Sequence, residues 1–298
     1  MSDDVAIHVR GLRKAYGDNV AVADLDLDVH RGEVFALLGP NGAGKTTTVE
    51  ILEGYRQRDA GEVRVLDTDP SFAHGSRSGG SRTPGRSGHS VRDWRGRVGI
   101  VLQGTGEFDE LTVAEVVHHF AGFYPDGDDP DKVIARVGLT AKATARTHTL
   151  SGGQKRRLDV ALGIIGRPEL LFLDEPTTGF DPEARREFWE LIRDLSAAGT
   201  TIVLTTHYLD EAEALADRVG VIAGGRLVEV AVPAELGNRQ EALATVSWRT
   251  PEGTSESAQS ATPTALVTEL AARFGGEVPG LTVTRPTLED IYLRMIGH

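Results

Sequence analysis

An α/β fold built on a buried parallel sheet is what the sequence predicts, and three observations predict it. The apolar run Val34–Leu38 passes into GPNGAGKTT at residues 39–47 and then into a helix-forming stretch over residues 46–52. Short unbroken apolar runs at residues 98–102, 170–173 and 201–204 read as further strands covered on both faces. From about residue 103 to 167 the pattern is mainly helical, with helices expected over 113–120, 132–137 and 152–165, so a helical subdomain interrupts the strands.

Taken in order, residues 5–9 are strand-like, and Leu25, Leu27 and Val29 alternate with Asp24, Asp26 and Asp28. That is the period of a half-exposed strand, so an N-terminal antiparallel sheet is expected ahead of the parallel core. Tyr16, beside Gly17, could stack on a purine ring or pack on that sheet; taken alone, packing is the simpler reading. Residues 71–90 are rich in Gly, Ser and Arg and have no apolar period. They carry Arg77, Arg82 and Arg86 and read as a flexible, solvated insertion rather than a segment that binds lipid or nucleic acid. A helix over 182–195 starts on Pro182, which suits a first turn. Residues 219–222 and 227–230 form a closing strand pair around Gly224 and Gly225.

Beyond Pro233 the pattern loosens. Residues 250–264 read as a loop, 264–274 as a helix and 281–284 as a strand. Leu288, Ile291, Tyr292 and Met295 fall at helical spacing, with Thr287 as a cap. The expected division is therefore a domain over 1–233 and a small α+β appendage over 234–298.

Composition narrows the class. Hydrophobic residues make up 40% of the 298 and charged residues 26%, the balance of a soluble globular chain. No run reaches the roughly eighteen apolar residues of a membrane span. The acidic N-terminus lacks the basic-then-apolar order of a signal peptide, and there is no cysteine, so a cytoplasmic location is expected. A net charge of −12 argues against a general nucleic-acid binder.

Chemistry concentrates at three places. At residues 39–47, Gly39, Gly42 and Gly44 allow backbone conformations that turn successive N–H groups toward a phosphate, and Pro40, Asn41 and Ala43 complete the loop. Lys45 can reach the β- and γ-phosphates, Thr46 offers a hydroxyl to Mg²⁺, and Thr47 continues into the helix, whose start adds its positive dipole end. This is a nucleotide site. Asp174 and Glu175 end a strand at the sheet edge where such folds bind ligands. Asp174 is the metal-side carboxylate, and Glu175 is free to polarise water. At Ser151-Gly152-Gly153-Gln154 a capped helix start exposes N–H groups, which makes either a second anion-binding end or a plain helix start.

The ordered set GPNGAGKTT, Gln103, LSGGQ, LLFLDEP and His207 resembles the ATP-binding subunit of an ABC transporter, over residues of about 5–230. The resemblance implies a P-loop NTPase fold that binds ATP and Mg²⁺. It implies adenine stacking by Tyr16, and a Gln103 that touches Mg²⁺ and the membrane partner. Ser151, Gly152, Gly153 and Gln154 would contact ATP held by the opposite subunit. Asp174 would hold the metal, Glu175 would act as general base, Asp181 would lie at the dimer interface and His207 near the γ-phosphate. Arg285-Pro286-Thr287-Leu288-Glu289-Asp290-Ile291-Tyr292 is similar to the closing motif of the daunorubicin-resistance type of drug and antibiotic exporter. The implied partners are a second ATPase subunit, taken as a homodimer, and integral-membrane permease subunits. These would keep the protein peripheral on the inner face of the cell membrane, with residues 108–111 as contacts. The alternatives are the ATPase of a lipid or polysaccharide exporter, or a soluble relative acting on ribosomes or DNA. One cassette, no heptad insertion and an acidic balance argue against the soluble relative.

Overall fold

The computed structural model describes residues 4–71, 91–101, 108–239, 242–250 and 253–297. The insertion expected at 71–90 therefore lies outside the described residues apart from Ser71, and Gln103 lies outside them altogether. The chain forms two compact units, Met1–Val230 and Ala231–His298.

In the first unit, β1 (Val5–Tyr16) and β2 (Asn19–His30) form a long antiparallel hairpin. The alternating Leu25, Leu27 and Val29 are buried, as their spacing requires. A strand not read from the sequence, β4 (Ala60–Val65), pairs antiparallel with β1 and buries Val63 and Val65.

The central sheet has six strands in the order β5 (Val98–Val101), β6 (Leu170–Asp174), β7 (Thr201–Thr206), β3 (Val34–Leu38), β8 (Arg218–Ala223) and β9 (Arg226–Ala231). The pairings of β5 with β6, β6 with β7, and β3 with β7 and β8 are parallel. Every residue of β3 is buried, which is why it reads as an unbroken apolar run. Register then brings the functional ends together: Leu38 lies opposite Thr206, and Asp174 opposite Thr205. The residues that follow β3, β6 and β7 thus emerge along one edge of the sheet.

Helix α1 (Lys45–Leu52) follows the glycine loop and buries Val49, Ile51 and Leu52. After α2 (Val91–Gly96) and β5 come α3 (Val113–Ala121), α4 (Pro130–Arg136) and α5 (Gly152–Ile164), close to the expected helical ranges. On the far side of β6, α6 (Pro182–Ala197) starts at Pro182, and α7 (Leu209–Leu215) follows β7.

The second unit holds α8 (Pro263–Phe274) against a three-stranded sheet ordered β11 (Ser255–Ser260), β10 (Ala244–Arg249), β12 (Thr282–Thr284). The loop expected over 250–264 is therefore corrected, because β11 is a strand. Its sequence, SESAQS, has no apolar period, and only Ala258 packs on the small core of Val246, Trp248, Leu270 and Val278. The strand is specified by its continuous ladder with β10, from Ala244 opposite Ser260 to Arg249 opposite Ser255. The last helix, α9 (Leu288–Met295), buries Leu288 and Ile291, and Thr287 caps it reciprocally with Asp290.

Candidate active site

The glycine loop between β3 and α1 shows two different uses of glycine. Gly42 and Gly44 have φ of +79° and +104°, in the left-handed region that side chains disfavour. Gly39 has no positive φ; a Cβ there would sit 2.5 Å from the carbonyl oxygen of Ile222. Its expected conformational role is corrected to a steric one.

Lys45 is buried, and its Nζ donates to the carbonyls of Gly39 at 2.6 Å and Pro40 at 3.1 Å. Burial pushes its pKa down, against the pull of Glu175 and Asp174. The ammonium is thus desolvated and held by the loop it serves. Thr46 is exposed beside it. Tyr16, Asn41, Gly42, Gly44, Thr47 and Glu175 join Lys45 and Thr46 around a cleft of about 240 Å³. Tyr16 is not packed into the sheet: it is 41% exposed, with the Arg56 guanidinium 5.2 Å and the Lys14 ammonium 5.5 Å from its ring centre.

At the end of β6, the Thr205 hydroxyl donates to the Asp174 carboxylate and accepts from the Glu175 N–H at 3.1 Å. Glu175 has φ of +42°, a conformation that costs a non-glycine residue on the order of 1 kcal/mol or more and accumulates at functional sites. Its carboxylate lies 3.2 Å from His207 Nδ1, and the Thr178 hydroxyl donates to it at 3.4 Å. A carboxylate and an imidazole thus meet at the cleft. For a cation, the Asp174 carboxylate and the Thr46 hydroxyl supply the hard oxygens that Mg²⁺ prefers, and the loop's left-handed glycines and buried ammonium suit a polyphosphate.

Ser151 caps α5 reciprocally with Gln154, as its position predicts. Ser151 and Gly152 are exposed, and Gly153 and Gln154 are half-buried. None of the four is in the wall of the cleft. A Cβ on Gly152 would meet nothing within 4 Å among the described residues, so none of them requires a glycine there. Asp181 caps α6, accepting from the N–H groups of Glu183 at 3.0 Å and Ala184 at 2.8 Å.

Four residues escaped the sequence reading. Arg156, buried on α5, donates to the carbonyls of Asp174 at 2.6 Å and Pro176 at 3.2 Å, tying the helix to the loop that carries Glu175. Thr205, Glu53 and Glu211 are also buried and polar. For Arg156 and Glu211 the local signal was a charge at a buried helical position; Thr205, near the end of strand β7, and Glu53, just past α1, carried none.

Glu53 yields a prediction. Its carboxyl is pushed up to about 8, first by burial and then by the charges of Asp174 and Glu50. Between 4.5 and about 8 the folded state keeps a proton that the unfolded state has released. Stability therefore falls as pH rises through that window and levels off above it. Without nucleotide, Glu53→Gln should stabilise the protein at pH 8 by roughly 1–3 kcal/mol. The advantage should vanish as pH falls to 4.5. Thermal melts across the range check this; a constant difference between the two proteins would refute it.

Comparison with known proteins places these features in context. The family model described as ABC transporter matches residues 22–178. The chain is 36% identical to the Nod factor export ATP-binding protein I of Ralstonia nicotianae, over 98% of this chain and 94% of that protein. It is 34% identical to the daunorubicin resistance ATP-binding protein DrrA3 of Streptomyces coeruleorubidus, over 99% and 96% respectively. Among solved structures, cbiO1 from Clostridium perfringens, part of the ABC transporter complex cbiONQ, matches with a TM-score of 0.67 and 28% identity, covering 80% of this chain and 92% of that one. An ATP binding subunit of an ABC transporter matches in fold with a TM-score of 0.64 at 23% identity, covering 78% and 91%.

Proposed function

This chain belongs to the ABC transporter family as an ATP-hydrolysing subunit, and from that premise we propose that it powers a membrane exporter through an active site closed between two copies. The observation that carries the reading is the Glu175 carboxylate 3.2 Å from His207 at the cleft that Lys45 and Thr46 line.

Residues 39–47 hold the phosphates of ATP, and Tyr16 stacks on the adenine. When bound, Mg²⁺ neutralises phosphate charge, with Thr46, Asp174 and Gln103 as the residues that would hold it. Glu175 accepts a proton from the attacking water, and His207 contacts the γ-phosphate and orients the carboxylate. Ser151, Gly152, Gly153 and Gln154 serve the opposite copy, which explains a capped helix start with an unobstructed glycine outside its own cleft. Asp181 lies at the same interface.

Among the described residues no helix is long and apolar enough to cross a membrane. Association with the inner face of the cell membrane then comes through separate permease subunits, with residues 108–111 as contacts. Relatives named for daunorubicin resistance and Nod factor export support a drug, antibiotic or other hydrophobic cargo.

Complementation tests the shared site. A Lys45→Ala copy and a Ser151→Arg copy should each be inactive alone. Mixed, they should regain roughly a quarter of wild-type turnover, because half the dimers are mixed and each carries one complete site. A mixture that stays inactive while both variants still dimerise would overturn the shared site.

A further inference from the structure

Glu211, in α7, has no exposed surface, and neither carboxyl oxygen closes a hydrogen bond of good geometry. The hydroxyls of Thr206 and Thr177 and the indole N–H of Trp189 face it. Thr177 Oγ1 and Trp189 Nε1 are themselves buried and make no such bond. Burial pushes the Glu211 carboxyl up, and the three donors work against that. The Arg156 guanidinium and the Asp210 carboxylate also act on it electrostatically, in opposite senses. A fully buried carboxyl without a closed hydrogen bond still costs stability that an apolar residue would not. Packing alone does not account for it.

Its neighbours do. Thr206 immediately precedes His207, and its hydroxyl accepts from the Tyr208 N–H at 3.0 Å, bridging the backbone on both sides of His207. That bond takes one of the hydroxyl's two lone pairs and leaves its proton free to donate, and Glu211 is an acceptor that faces it. Thr177 stands two residues beyond Glu175, and Trp189 belongs to α6, the helix that Asp181 caps. One carboxyl therefore faces both segments that carry the reacting pair. On the outer side, Arg185 stacks over Tyr208 at 4.8 Å and pairs with Asp210 at 3.0 Å, holding the same turn from solvent.

We propose that Glu211 is a positioning residue for ATP hydrolysis, a buried carboxyl set between the Thr206 and Thr177 hydroxyls so that His207 stays in register with Glu175. The proposal rests on the roles given to Glu175 and His207 above. Removing the carboxyl leaves the ladder of β7 intact but releases the turn after it, and a small misplacement of a reacting pair costs rate rather than binding.

Steady-state ATPase, ATP affinity, thermal melts and the NMR signals of the His207 imidazole would be measured on Glu211→Ala, Glu211→Gln and Thr177→Val. Glu211→Ala and Thr177→Val should lower kcat about tenfold, leave KM within about twofold, and shift the His207 resonances. Glu211→Gln should keep most of the rate, because its amide can accept from Thr206 and Trp189 and donate to Thr177. If Glu211→Ala fails to fold, Thr177→Val carries the test. Folded variants with wild-type kcat and unmoved imidazole signals would overturn the proposal, as would a Glu211→Gln as slow as Glu211→Ala. His207→Ala is the separate control: wild-type turnover there would reject the site reading, whereas an inactive His207→Ala beside fully active Glu211 and Thr177 variants would reject the positioning role alone.

Discussion

Replacing Glu175 by Gln is expected to cut ATP turnover by about 10²–10⁴-fold while leaving ATP affinity within about twofold. The substitution keeps the shape of the side chain and a polar atom facing His207 and Thr178, so the cleft should stay assembled. It removes the one thing a general base needs, an acceptor for the proton of water. The strained backbone at φ of +42° is unaffected, as is the anchoring of the Glu175 N–H by Thr205. With hydrolysis blocked and ATP still bound, closure between copies would persist, so an ATP-dependent dimer should accumulate on size-exclusion chromatography with light scattering. Measured turnover close to wild type, with nucleotide bound, would remove Glu175 from the mechanism.

Lys45→Met should be nearly as severe for a different reason. Here nucleotide affinity should drop by about 10²-fold or more, because truncating a buried charge that meets an opposite charge costs about 2–5 kcal/mol. The methionine retains the length and apolar stem of the lysine, so the loop should survive. The free protein already bears the cost of the desolvated ammonium, whose pKa burial lowers. Lys45→Met should accordingly melt no lower than wild type without nucleotide, yet lose the rise in Tm that ATP produces. Isothermal titration and paired melts separate the two effects. A variant that binds ATP normally would mean that the loop's N–H groups suffice.

Most of the first unit was legible because its signals are local. A strand buried on both faces is an apolar run, as at Val34–Leu38, and a phosphate loop is a fixed spacing of glycines and a lysine. The helix start at Ser151 announces itself by its cap and that of α6 by Pro182, as Thr287 does in the second unit. The strand at Ser255–Ser260 was not legible, since its ladder to β10 carries no apolar period. Tyr16 likewise required the fold: a motif cannot say whether a ring faces a core or a cleft, and here it is 41% exposed.

By itself the sequence determined the α/β class, the phosphate loop, the carboxylate pair and the order of the motifs, because backbone conformation and strand or helix period act over a few residues. The tertiary structure alone decided how those pieces meet. Register across β3, β6 and β7 brings Glu175 to His207, thirty-two positions along the chain, while Arg156 and Thr205 fasten the loop between them. Gly39 is a glycine because Ile222 lies against it, and Glu211 is buried against Thr177 and Trp189, both far from it in sequence. Such contacts depend on which strands lie side by side, and no local pattern of residues carries that information.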